Sequence, residues 1–65
     1  MDDRGYVEYL LRCIDFLLER LKKRRERKIL GFYRSRLEAW LQSGEKQFTE
    51  PLVADYILRG MTLCK

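Results

Sequence analysis

Two apolar stripes run along residues 7–41, and they do not share a face. Val7, Leu10, Ile14, Leu17 and Leu21 step by three and four, which keeps all five on one side of a helix, with Tyr6, Cys13 and Leu18 widening the stripe. Leu30, Tyr33, Leu37 and Trp40 form a second stripe, with Ile29 and Leu41 beside it. At about 100° per residue the two stripes point roughly 150° apart on one straight helix. A single helix burying one face cannot satisfy both. Either the chain turns back near Gly31, or one long helix gives its two ends to different neighbours. Ser35-Arg36-Leu37-Glu38 has the capping-box pattern, which favours a restart after Gly31.

The remaining signals are helical too. Asp2 or Asp3 suits the start of the first helix, and Glu8–Arg12 and Glu19–Lys23 are i,i+4 pairs in the favourable order. Lys22-Lys23-Arg24-Arg25-Glu26-Arg27-Lys28 contains no Gly, Pro or Asn, so the first helix is expected to run through it. Gly44 supplies a stop, and Ser43-Gly44-Glu45-Lys46-Gln47 reads as a loop. Thr49 is the expected N-cap of a third helix, with Pro51 in its first turn, Phe48 stapled onto Val53, an apolar face of Leu52, Val53, Tyr56 and Ile57, and an end at Gly60. No strand pattern or repeat appears. The expected fold is all-α and a single domain over residues 1–65, with helices over about 3–29, 32–42 and 49–59. A first helix of about 26 residues spans roughly 39 Å, against about 18 Å for a partner of 12 residues. Two long helices packed as a homodimer would bury the excess stripe and enlarge the thin core of a 65-residue chain.

Composition removes several chemistries. The chain has no His, hence neither the usual neutral-pH base nor the commonest zinc ligand. Ser35 and Ser43 lack an imidazole partner, and the four glycines are scattered singly instead of forming a phosphate loop. Asp15 and Glu19 share a face suited in principle to a divalent metal, but Lys22 and Lys23 compete for them. No enzyme, metal or cofactor is expected. Cys13 reads as a small buried residue and Cys64 as part of a frayed end, so a reducing cytoplasm (or a nucleus) is the expected compartment. The acidic start Met1-Asp2-Asp3-Arg4 is unlike a signal peptide, and no apolar run is long enough for a membrane span.

Charge carries the functional signal. The net +4 combines −3 over residues 1–19, +8 over residues 20–36 and −1 over residues 37–65. Arg24 and Lys28 fall where the first stripe next wants apolar residues, so a charged helix end is expected to project beyond the core. Such an end is a solvated arm, a dock for an acidic protein, a membrane-surface anchor or a polyanion site. Only Glu26 offsets six cations in seven residues, which favours phosphate, while the apolar residues needed for membrane insertion are committed to the core. Arg outnumbers Lys in the +8 stretch, as suits bidentate phosphate and guanine contacts. The expected nucleic-acid-binding residues are Arg20, Lys22, Lys23, Arg24, Arg25, Arg27, Lys28, Phe32, Arg34 and Arg36. Phe32, less explained by the core than Tyr33, is placed to stack on unpaired bases.

Residues 33–58, with Tyr33-Arg34-x-x-Leu37-x-x-Trp40-Leu41-x-x-Gly44 followed by Thr49-x-x-x-Val53-x-x-Tyr56-Ile57-Leu58, resemble the helical, SAM-like core-binding N-terminal domain of tyrosine recombinases. In that family the domain clamps one face of DNA with basic and polar helix residues. The resemblance implies a stand-alone relative of the clamping part, such as an accessory protein of a mobile element. The recombinase catalytic constellation is absent, and the family pattern has no counterpart of residues 22–28. The sequence therefore reads as a small basic nucleic-acid-binding protein, DNA or RNA, with an accessory or regulatory role. The alternative is a non-enzymatic adaptor or inhibitor whose basic helix docks on an acidic protein.

Overall fold

A computed structural model describes residues 2–63. Three helices follow one another, α1 (Arg4–Arg20), α2 (Arg24–Ser43) and α3 (Pro51–Leu63), and no strand occurs among the described residues. α1 packs against both of the others. The molecule measures 34 × 20 × 17 Å. Its long dimension is set by α2, whose 20 residues span about 30 Å.

The stripes behave as their spacing requires. Val7, Leu10, Ile14 and Leu17 of α1 are buried against Leu30, Leu37 and Trp40 of α2 and Val53, Ala54 and Ile57 of α3. No polar or charged side chain is buried among the described residues. Cys13 is buried and unpaired, while Cys64 lies outside the described residues. Leu52 departs from the expected apolar face of α3. It is 81% exposed, because it lies at the edge of a face centred on Val53 and Ile57.

The phase mismatch is resolved by a turn, but not at Gly31. The first helix ends at Arg20, and Leu21 and Lys23 both take extended backbone angles before α2 begins at Arg24. Gly31 sits inside α2. Ser35 is not a cap: its Oγ donates back to the Gly31 carbonyl at 3.3 Å, as hydroxyls do within helices. Helix propensity alone would carry α1 through the basic run. A continuous helix, however, would add Arg20–Arg24 and Lys23–Arg27 as i,i+4 neighbours, each like-charged pair costing a few tenths of a kcal/mol. It would also leave one stripe in solvent, and the burial at stake is larger: about 1.5–3 kcal/mol for each large apolar side chain. The turn at 21–23 also leaves Lys23 beyond α1, out of the expected pairing with Glu19.

This relocation removes the length argument for a second copy. α1 has 17 residues instead of about 26, and its stripe is covered within one chain. Among the described residues no charged rod projects from the core; the cations of residues 20–28 instead decorate the α1–α2 bend and the first turns of α2.

Two other helix ends also differ from expectation. α3 starts one residue later, with Pro51 as its first residue and Glu50, not Thr49, before it. It also runs through Gly60 to Leu63. A Cβ at Gly60 would stand 3.0 Å from Leu17 Cδ1, so this glycine permits close packing of α3 on α1. Gly44 does end α2, in the left-handed conformation with φ of 78°. Beyond it, Trp40 Nε1 donates to the Gln47 carbonyl at 2.9 Å. The Asp3 carboxylate accepts from the Phe48 N–H at 2.8 Å, and the Asp3 N–H donates to the Lys46 carbonyl at 2.8 Å. Asp3 thus ties the loop to α1 and makes no side-chain cap on its own helix. The Phe48 ring stands edge-on to Tyr6 and Trp40.

Candidate nucleic-acid interface

The ten expected site residues divide into those engaged within the molecule and those left open. Arg34 donates to Asp15 through Nε at 2.9 Å and also pairs with Glu38. Asp15 lifts the Arg34 guanidinium further above its already high pKa, so this charge is fixed. That pairing also corrects the picture of Asp15 as a metal ligand contested by Lys22 and Lys23: its partner is Arg34 from the neighbouring helix. Arg36 pairs with Glu50, which lies just before α3. Arg27 turns back across the bend, where its Nη1 donates to the Leu18 carbonyl and, at 3.1 Å, to the Leu21 carbonyl. Those are two of the carbonyls that the end of α1 leaves without helical partners. Arg20 lies over the Phe16 ring, 4.2 Å from its centre.

Lys22, Lys23, Arg24, Arg25 and Lys28 remain. All five are exposed, and none has an ion-pair or hydrogen-bond partner for its side chain among the described residues. They lie on the bend and the first turns of α2, where backbone electrostatics add to their charge. Lys23 precedes the helix without a side-chain cap, and the first intrahelical bond to it runs from the Arg27 N–H to its carbonyl at 3.1 Å. The N–H groups of Arg24, Arg25 and Glu26 therefore point out of the helix end without helical acceptors. The positive end of the α2 dipole coincides with the cations, and only Glu26 is acidic in the first turn. For the free protein this is a conflict; for a bound anion it is an attraction.

Phe32 lies one helical turn beyond Lys28 and one turn before Arg36. It is 59% exposed and takes no part in the core, whereas Tyr33 packs edge-on against Tyr56 at 5.5 Å. Burial pushes the Tyr56 phenol above its ordinary pKa, with the Glu26 carboxylate adding to the effect. Glu26 and Tyr56 also line a cavity of about 330 Å³ with Leu17, Leu21 and Leu30 where the three helices converge.

The internal counter-ions were missed in the sequence. Glu38 had a usable signal, four residues after Arg34. Asp15 and Glu50 meet their arginines only through the tertiary fold. No helix among the described residues is long and apolar enough to cross a membrane, and no group of three or more potential metal ligands occurs among them. No protein-family model matches the chain, and neither does a curated protein or a solved structure.

Proposed function

We propose that this protein binds nucleic acid, as a non-enzymatic accessory or regulatory factor, through Lys22, Lys23, Arg24, Arg25 and Lys28. The observation that carries this reading is the gathering of five exposed cations, without internal counter-ions among the described residues, at the positive end of α2. Phosphates satisfy both the side chains and the outward N–H groups, and each contact releases condensed counter-ions. Arg34 and Arg36, held by carboxylates, tie α2 to α1 and to the start of α3, Arg27, held by carbonyls, closes the bend, and all three are secondary contacts at most. The resemblance of residues 33–58 to a DNA-clamping helical domain is a second ground for the same partner class. Pairing of two copies would double the phosphate footprint, but its first ground, an uncovered stripe, is gone.

A gel-shift assay with duplex DNA and structured RNA tests the proposal. Binding at low salt, a steep loss at moderate salt, and no binding by Lys23→Glu/Arg24→Glu/Arg25→Glu with helicity intact are expected. No shift of either probe, or a shift indifferent to salt, contradicts it. Protein partners that survive nuclease treatment in a pull-down would favour the acidic-protein dock instead.

A further inference from the structure

We infer that the interface discriminates for unpaired nucleotides, with Phe32 as the stacking platform for one base. This rests on the nucleic-acid reading above and specifies its substrate class. Phe32 is the one aromatic ring of α2 that the fold does not use. Tyr33 is engaged by Tyr56, and Trp40 is buried with its indole N–H bonded to Gln47, whereas Phe32 stays exposed outside the core cluster.

Its surroundings match what a base with an attached phosphate requires. Lys28 and Arg36 bracket the ring at i−4 and i+4, about 6 Å along the helix in each direction. Arg25 is a further turn towards the bend. The Arg36 guanidinium lies over the ring, 5.7 Å from its centre, while paired with Glu50, so a cation is held over one face and a base would take the other. The Tyr33 ring, itself anchored by Tyr56, stands 6.0 Å from Phe32 at an angle of 54°. The platform is therefore braced before any ligand arrives, which lowers the ordering cost of binding. Gly31 leaves the surface beside it without a side chain. A duplex keeps its base faces stacked internally and offers such a ring only edges and backbone, whereas a single strand or loop offers a free π-face. The cations bind both forms; Phe32 distinguishes them.

The test compares a single-stranded oligothymidylate with a duplex of equal length, for the wild type, Phe32→Ala and Phe32→Trp. Alanine at 32 should lower single-strand affinity by about 5- to 100-fold and leave duplex affinity within about twofold, the span expected for one lost stack. Tryptophan should restore single-strand binding. Circular dichroism of Phe32→Ala should be unchanged, because the ring lies outside the core. Equal loss on both probes, or no loss on either, overturns the stacking role while the cationic site stands. A wild type that binds neither probe overturns the nucleic-acid reading and this inference with it.

Discussion

Gly31 occupies the interior of α2, and nothing lies within 4 Å of where its Cβ would stand. A mid-helix glycine costs about 0.5–1 kcal/mol relative to alanine. Gly31→Ala should therefore raise stability by about that amount in urea denaturation. A loss of stability would mean that the chain turns there after all. Gly44 is the opposite case: its φ of 78° makes Gly44→Ala destabilising by about 1 kcal/mol in the same measurement. The two glycines look alike in the sequence. Gly44 was legible because the second stripe ends just before it. Gly31 was misread because the phase mismatch demanded a break somewhere, and a glycine offered the obvious place. Ser35 and Glu38 misled for a related reason, since a capping-box spacing also occurs in a helix interior, where Glu38 serves Arg34.

At the scale of elements, the α1–α2 bend sets stability against binding. Arg24 and Arg25 place positive charge at the positive end of α2, so Arg24→Glu/Arg25→Glu should stabilise the fold by about 0.3–1 kcal/mol per residue at low salt. In a domain of this size that appears as a rise of several degrees in Tm, alongside the loss of nucleic-acid binding. Unchanged or lowered Tm would contradict the helix start at Arg24. Arg27 belongs to the other class. Its loss strips two carbonyls at the end of α1 of their donor, and Arg27→Ala should cost about 0.5–1.5 kcal/mol. The bend was not legible because Lys and Arg are good helix formers, so nothing local marks residues 21–23 as a break. What fixes it is tertiary: the burial of both stripes at once, with Arg27 closing the end of the first helix.

For the whole molecule, one small core supports everything. Ile14 is fully buried between its neighbours, and Ile14→Ala should cost about 2–5 kcal/mol, enough to unfold much of a domain this small at ambient temperature. Alkaline pH acts through Tyr56. Its folded-state pKa is raised, so the protonated phenol favours the fold below the ordinary value near 10.0, and that contribution is lost as pH rises through the raised value. The all-helical architecture and most of the core could be read from periodicity, and the basic stretch from charge alone. The division of that stretch into structural and open cations could not, because Asp15, Glu50 and the α1 carbonyls reach their arginines only through folding. The most direct test of the open cations is the salt dependence of single-strand affinity. Five phosphate contacts predict a slope of log K against log salt of about −3.5, flattening to about −2 in Arg24→Ala/Arg25→Ala. A slope near zero, or one that the double substitution leaves unchanged, would contradict a phosphate-binding bend.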